Sequence, residues 1–311
     1  MKVLVIGGAG YIGSHVAREF LDQGHQVTVF DDMSSGVEEN IFPDEDFIKG
    51  DIRIADEIAS AMASEIDGVV HLAAYKHVGL SMEDPGMFAV NNISGTINVL
   101  NAMLAHDVRN IVFSSSAGVF GEPQYLPLDE EHPTNPESFY GFTKLEMEQL
   151  MDWYDRLKGL RYSSLRYFNA AGYDVQGRVT GIEQVTTNLI PVLMEVAVGK
   201  RSQVQIFGTD YDTKDGSCIR DFIHVSDHGE SNIFNLGTSE GTSVLEVLSL
   251  TREVTGKEIP AEMVDRRPGD PSQLYAESKK IESLLNWESQ HSDLRTIIET
   301  TWTVYRNHFN C

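Results

Sequence analysis

Cysteine is nearly absent from this chain. Only Cys218 and Cys311 occur among 311 residues, far apart and in no ligand spacing. That argues against a disulfide framework or a zinc knuckle and fits a reducing cytoplasm, with no metal expected. Long hydrophobic runs are missing too, since none reaches the roughly 18 residues of a membrane helix. A secretory leader is not expected either, because Val3-Leu4-Val5-Ile6 runs straight into a glycine loop. Basic residues are scarce: 24 Lys and Arg stand against 47 Asp and Glu, a formal charge of −23. A field of that sign repels phosphate backbones and makes nucleic acid a poor partner. Any anionic ligand must therefore be held by a local cluster of cations. Apolar residues make up 41% and glycine is ordinary, so disordered and collagen-like classes drop out and a sizeable core can form.

What is present is alternation. Lys2–Ile6, Gln26–Phe30, Gly68–Leu72, Asn110–Ser114 and Tyr162–Arg166 read as strands buried on both faces, with amphipathic stretches such as His15–Gln23 and Asn91–His106 between them. The pattern predicts an α/β fold, a doubly wound parallel sheet with helices on both sides. Residues 1–170 are expected to form one nucleotide-binding domain, with a returning segment near 219–237. Residues 171–311 are expected to form a smaller, loop-rich α/β domain. There Leu189–Val198, Val244–Thr255 and Leu294–Tyr305 read as helices, and Val204–Phe207, Phe222–Val225 and Phe234–Leu236 as strands.

Gly7-Gly8-Ala9-Gly10-Tyr11-Ile12-Gly13 follows the first strand and opens a helix. Glycines at 7, 10 and 13 permit a tight turn, a close approach of backbone N–H groups to a pyrophosphate, and close helix–sheet packing. Asp31 stands 18 residues past Gly13, at the end of the second strand. It is placed to accept bonds from adenosine ribose hydroxyls, and with Asp32 beside it would repel a 2′-phosphate, favouring NAD over NADP. An ordinary glycine-rich corner would look similar, but here the loop, the flanking elements and the acid all agree, as in a Rossmann-type domain.

Tyr140-Gly-Phe-Thr-Lys144 puts a phenol and an ammonium on one helix face. Tyrosine is a poor base near neutrality. A neighbouring Lys⁺ and a positive nicotinamide ring would stabilise its phenolate, and Lys144 can also bond the nicotinamide ribose. The strand 24 residues before Tyr140 ends in Ser114-Ser115-Ser116, at the carboxyl edge where sites of open α/β sheets lie. Most Tyr-x-x-x-Lys pairs are surface decoration. This one follows a nucleotide loop and a serine-tipped strand, which makes Ser116, Tyr140 and Lys144 the catalytic candidates.

The glycine spacing resembles the extended short-chain dehydrogenase/reductase superfamily. Phe113-Ser-Ser-Ser-Ala117, Leu165-Arg-Tyr-Phe-Asn-Ala-Ala-Gly172, Arg220-Asp-Phe-Ile-His-Val225 and Arg266-Arg-Pro-Gly-Asp270 resemble the UDP-galactose 4-epimerase family in particular, from Met1 to about Tyr305. Sugar-nucleotide dehydratases of that superfamily would carry Thr-Asp-Glu where Ser-Ser-Ser stands. The resemblance implies that Asp51 and Ile52 lie along the adenine, and Leu72, Ala73, Ala74 and Lys76 along the rest of the cofactor, with Asn91, Ser114 and Tyr167 also touching it. It implies Ser116, Asn169, Asn188, Leu189, Arg220, Arg267, Asp270 and Leu274 for the nucleotide sugar. Arg220 and Arg267 would hold the diphosphate, unless Arg220 is spent on an ion pair with Asp221 or Asp270. The activity implied is interconversion of UDP-galactose and UDP-glucose through a transient 4-keto sugar, with NAD as a held prosthetic group and a homodimer as the assembly.

Three departures bear on this. Gly118 and Phe120 stand where the family usually has Thr and Tyr, removing two hydroxyls near the sugar. Leu274 occupies the position whose bulk affects whether an N-acetyl group is admitted, so UDP-N-acetylhexosamine, UDP-pentose or UDP-glucuronate are alternative substrates. Only Ser226–Ile233 separates Val225 from Phe234, where the family carries a further apolar helix. A net NAD-consuming dehydrogenase or reductase is a second alternative, and a silent NAD-binding scaffold a third. His71 and His77 are expected to be structural. Val90, Ile93, Ile97, Leu100 and Leu104 form one helical stripe, and Met147, Leu150, Met151, Tyr154 and Leu157 another, each expected to face the sheet.

Overall fold

The computed structural model describes residues 1–225, 233–267 and 270–311. The region in which a family helix is expected after Val225 therefore lies largely outside the described residues. Two compact units are each drawn from separate stretches of chain. The first comprises Met1–Gly121, Thr134–Arg166 and Glu230–Phe234, the second Glu122–Pro133, Tyr167–Gly229 and Asn235–Cys311.

In the first unit, strands β1 (Lys2–Ile6), β2 (Gln26–Asp31), β3 (Asp46–Lys49), β4 (Gly68–His71) and β5 (Asn110–Ser116) alternate with helices α1 (Tyr11–Asp22), α2 (Ala55–Met62), α3 (Val78–Glu83), α4 (Pro85–Phe88) and α5 (Gly95–Ala105). Helix α6 (Phe139–Lys158) leads to β6 (Arg161–Tyr167). A later strand, Ile233–Leu236, completes a seven-stranded sheet beside β6, whose order then runs β6, β5, β4, β1, β2, β3. The registers from β3 to β5 are parallel. Residues 3–6, 27–31 and 68–71 are buried along their length, which is why they read as unbroken apolar runs. Strand β3 is an edge strand and mostly exposed, so no such run marks it. The chain leaves β1 for β2 on one side and β4 takes the other, so the sheet reverses direction at the carboxyl ends of β1 and β4. Open α/β sheets bind ligands at such a point.

The two helical stripes need correction. Between α4 and α5 the chain makes a π-helical turn, Ala89–Ser94, which breaks the 3.6-residue period. Val90 is therefore exposed, while Val99, Leu100, Ala102 and Met103 enter the core with Leu4, Ile6, Phe30 and Phe113. On α6, Met147 and Met151 join that core, and Leu157, past the buried section, is exposed.

The second unit packs three helices, α7 (Leu189–Ala197), α8 (Val244–Thr255) and α10 (Leu294–Phe309), on one another. Ile190, Leu193, Val247 and Ile297 are buried among them. Ser243 and Glu246 form a reciprocal capping box that starts α8. Short strands complete the unit: β7 (Asn169–Ala171) with β10 (Phe222–His224), β8 (Val204–Phe207) with β13 (Ala261–Val264), and β9 (Ile219–Arg220) between β12 (Thr242–Ser243) and β14 (Gln273–Leu274). In chain order Ile233–Leu236 is β11, and α9 (Lys279–Leu285) precedes α10. No helix among the described residues is long and apolar enough to cross a membrane.

Candidate active site

At the end of β1 the glycine loop is held from several sides. Gly7 adopts φ +84°, and a Cβ there would lie 2.7 Å from the Ala73 nitrogen. At Gly13 a Cβ would meet the Gly7 oxygen at 2.2 Å. These two glycines are thus required by the protein's own packing, at the loop's junction with the Leu72–Ala74 segment and at the start of α1. Gly10 differs. A Cβ there would meet only the Gly7 oxygen, at 3.3 Å, so its bareness leaves an open face above the loop. Gly10 is also the N-cap of α1 and contributes no side-chain acceptor, which leaves the positive end of the helix to an anion. Tyr11 and Ile12, in the first turn, are partly exposed beside it.

Asp31 is buried at the end of β2. Its Oδ2 accepts from the Ala9 amide (3.0 Å) and its Oδ1 from the Met33 amide (2.8 Å). Burial raises its pKa, the two amides oppose that, and the charge of Asp32 adds to it. Each carboxylate oxygen keeps a further lone pair for a ribose hydroxyl. An open glycine face beside a fixed carboxylate fits a dinucleotide. Further along, Asp51 is paired with Arg53 at 2.5 Å, and its pKa is lowered by that bond. Ile52 departs from expectation in one respect: its side chain is buried, against the place where a Cβ of Gly95 would be, so only its backbone is left for an adenine. Lys76 is exposed.

At the end of β5 the three serines alternate. Ser115 is buried, while Ser114 and Ser116 are partly open. Lys144 on α6 is buried and its Nζ donates to the Ser114 carbonyl at 2.6 Å. Its ammonium lies 5.8 Å from the Tyr140 ring centroid. The Ser116 oxygen accepts from the Gly118 amide at 3.1 Å, and it lies beside the Tyr140 ring around Gly118. Burial raises the phenol pKa, and Ser116 acts against that. The lowering anticipated from Lys144 is not among these influences. Burial instead draws Lys144 itself down to about 7, with the Glu148 charge opposing.

Several residues that hold this group escape a reading of motifs. The Tyr140 amide donates to Ser81 Oγ (3.0 Å), and Ser138 caps α6 by accepting from Gly141 (3.1 Å). A Cβ at Gly141 would come within 2.3 Å of the Gly118 oxygen, so helix and strand end are in direct backbone contact. Asn92, within the π-helical turn, accepts from the Tyr75 amide (2.8 Å) and from Asn91 (3.0 Å), and donates to Thr143 Oγ1 (3.0 Å). Asn91 itself is buried beside it. Functional sites often use such a turn to aim a side chain off the helical period.

His71 and His77 each make a local structural contact. His71 is buried with Nε2 on Thr96 (2.9 Å), and desolvation pushes its pKa down to about 3. His77 caps α3, accepting from the Leu80 amide at 3.0 Å. Phe120 is also buried, with the Arg166 guanidinium 4.9 Å from its ring centroid. Its lost hydroxyl therefore belongs to the interior rather than to an open site.

The second unit gathers part of the nucleotide-sugar set. Arg220 and Leu274 sit opposite each other in the β9–β14 register. Arg220 is ion-paired with Asp270 and also donates to the Pro271 carbonyl at 2.9 Å. Arg267 lies over the Phe207 ring, 3.7 Å from its centroid, an aromatic platform that motif reading passed over. Asn169 is tied by Nδ2 to the Asp221 carbonyl at 2.8 Å. Asp221 is buried and takes the Thr238 and Ala276 amides, so it holds the loop together. Asn188 is the exposed N-cap of α7, just before Leu189. Tyr167, at the end of β6, is buried, which raises its pKa.

Residues 3–245 match the family model described as the NAD dependent epimerase/dehydratase family. The chain belongs to that family. It is 44% identical to the UDP-glucose 4-epimerase of Halalkalibacterium halodurans over 324 residues, covering 99% of this chain and 96% of the relative. It is 43% identical to the UDP-glucose 4-epimerase of Corynebacterium glutamicum, with coverage of 97% and 95%. Among solved structures, the UDP-glucose 4-epimerase of Brucella ovis in complex with NAD superposes with a TM-score of 0.94 at 38% identity, covering 98% of both chains. The Bifidobacterium longum UDP-glucose 4-epimerase in complex with NAD+ and UDP gives 0.92 at 34% identity, covering 99% and 98%.

Proposed function

We propose that this chain is an NAD-dependent isomerase that interconverts UDP-galactose and UDP-glucose at sugar carbon 4, with Tyr140, Ser116 and Lys144 as its catalytic group. Relatives at about 40% identity over nearly their full length carry that activity in their names. The observation that carries the residue assignment is the cluster at the end of β5, where Ser116 and Tyr140 meet around Gly118 and Lys144 is anchored on Ser114.

Tyr140 takes the proton of the 4-hydroxyl, with Ser116 sharing the hydrogen bond. Burial works against the phenolate, so positive charge must develop nearby, and the Lys144 ammonium provides part of it. NAD, when bound, would supply reversible hydride acceptance at carbon 4, with no net oxidation of the sugar. The glycine loop and Asp31 would hold the adenosine half. In the second unit, Arg220 and Arg267 would bind the diphosphate. The Arg220–Asp270 pair would then open or share its charge, a cost that diphosphate binding must exceed. Firm diphosphate binding with a loose hexose site lets the keto sugar present either face.

The assignment of residues 1–170 to the dinucleotide and 171–311 to the sugar nucleotide follows the same reading. So do a cytoplasmic setting and a homodimer, supported by the exposed apolar side chains of Val90, Trp153 and Leu157. The test is Tyr140→Phe. Turnover of UDP-galactose should fall by about three orders of magnitude, the scale of a lost general base, while UDP binding by calorimetry is kept. A variant turning over at the parent rate would remove the assignment.

A further inference from the structure

One buried ionic group in the first unit has no part in the chemistry above. Glu148 lies one helical turn beyond Lys144 on α6, and its side chain is only 3% exposed. Arg166 on β6 grips it with two bonds, Nε to Oε1 at 3.0 Å and Nη2 to Oε2 at 2.8 Å. Ser115 donates to the same Oε1 at 2.5 Å. The end of β5 is thereby bonded to α6 at two consecutive residues, the Ser114 carbonyl to Lys144 and the Ser115 hydroxyl to Glu148, just before Ser116. Stability alone gives little reason for this arrangement. A buried ion pair often contributes no more than well-packed apolar residues of the same volume.

We propose that Glu148 is a positioning residue for the reaction: held by Arg166 and Ser115, it fixes α6 on the end of β5 and supplies the negative charge that the Lys144 ammonium faces. The inference rests on the proposed roles of Tyr140 and Lys144. The titratable groups around Lys144 are few. Tyr140 and Glu148 face it from α6, and His71 faces it from β4 as a neutral ring. From β5 it meets the Phe113 ring, 4.9 Å away, and the Ser114 carbonyl. Glu148 is the carboxylate that opposes the loss of its proton on burial. Without that charge Lys144 should deprotonate at lower pH, and turnover should fail earlier on the alkaline side.

The experiment measures kcat and KM for UDP-galactose against pH in the NAD-loaded enzyme. The variants are Glu148→Gln, Ser115→Ala, the double variant Glu148→Met with Arg166→Met, and Tyr140→Phe as reference. For Glu148→Gln the alkaline limb of kcat should move about one pH unit toward acid, giving about a tenfold loss at the alkaline end that shrinks as pH is lowered, with KM little changed. Ser115→Ala should lower kcat modestly and leave the limb in place. The double variant leaves no unpaired Arg166 in the interior, so it should fold, and it should show the same displaced limb. It decides the matter if Glu148→Gln fails to fold. A double variant whose pH profile overlays the parent, or one reduced equally at every pH, overturns the positioning role. If Tyr140→Phe remains fully active, the catalytic reading falls and this inference with it. If Tyr140→Phe is inactive while the Glu148 variants track the parent, only the inference falls.

Discussion

Replacing Gly13 with alanine sets two physical expectations against each other. Gly13 is the third residue of α1, and in an open helix the exchange would gain about 1 kcal/mol. Here the added Cβ would lie 2.2 Å from the Gly7 oxygen and 2.7 Å from Gly8 Cα, both backbone. Carbon contacts settle at about 3.5 Å, so helix and loop must part by roughly an ångström. Overpacking of this kind costs about 1–3 kcal/mol, and no flexible side chain is there to yield. The net expectation is a loss of up to about 2 kcal/mol after the helical gain is counted. The Gly7 carbonyl also accepts from the Gly10 amide at 3.2 Å, so moving it disturbs the loop face and should release NAD. Melting temperature and NAD content after denaturation are the two readouts. Gly86→Ala is the control, because its Cβ would meet only Asp84 Oδ1, at 3.7 Å. A Gly13→Ala protein that melts at or above the parent and keeps its NAD would refute the packing argument.

Other outcomes follow from single features. His71 titrates near 3 in the folded chain against an ordinary 6.5; the unfolded chain therefore binds more protons between those values, and stability rises with pH across that window. Going from pH 7 to pH 5 should cost about 2 kcal/mol, and urea titrations of His71→Gln should show that slope reduced. Trp153 is 56% exposed on α6; Trp153→Glu should convert the expected dimer to a monomer in sedimentation velocity, and a parent protein that is already monomeric would dispose of the dimer. Leu274, beside Arg220, should set tolerance at sugar carbon 2. Leu274→Ala should therefore raise the rate on UDP-N-acetylglucosamine relative to UDP-glucose several-fold, and an unchanged ratio would remove that role.

The nucleotide half was legible because its signals are local. β1, the glycine loop and α1 are contiguous, and strands covered on both faces leave unbroken apolar runs that need no partner to be seen. Val244–Thr255 was legible for the same reason, its period and cap lying in one short stretch. What escaped depends on contacts distant in the chain or on broken periods. The π-helical turn at Ala89–Ser94 shifts every later residue off a 3.6 stripe, so Val90 was assigned to the wrong face. Nothing in the sequence pairs Glu148 with Arg166, 18 positions away; only the fold brings them together in the interior. Arg220 could be read as a free cation or as half of an ion pair, and the structure pairs it with Asp270. Residues 122–133 sit inside the first half of the chain yet belong to the second unit, and their proline-rich, acidic composition reads as a loop rather than as a change of unit.

The most direct trial of the reaction gives purified protein UDP-galactose with no added dinucleotide and follows the sugar anomeric signals by proton NMR. UDP-glucose should appear until the two sugars reach equilibrium, and denaturing the same sample should release NAD in proportion to the chains present. A preparation that holds NAD but leaves UDP-galactose unchanged, or that converts it only while consuming added NAD, contradicts the account.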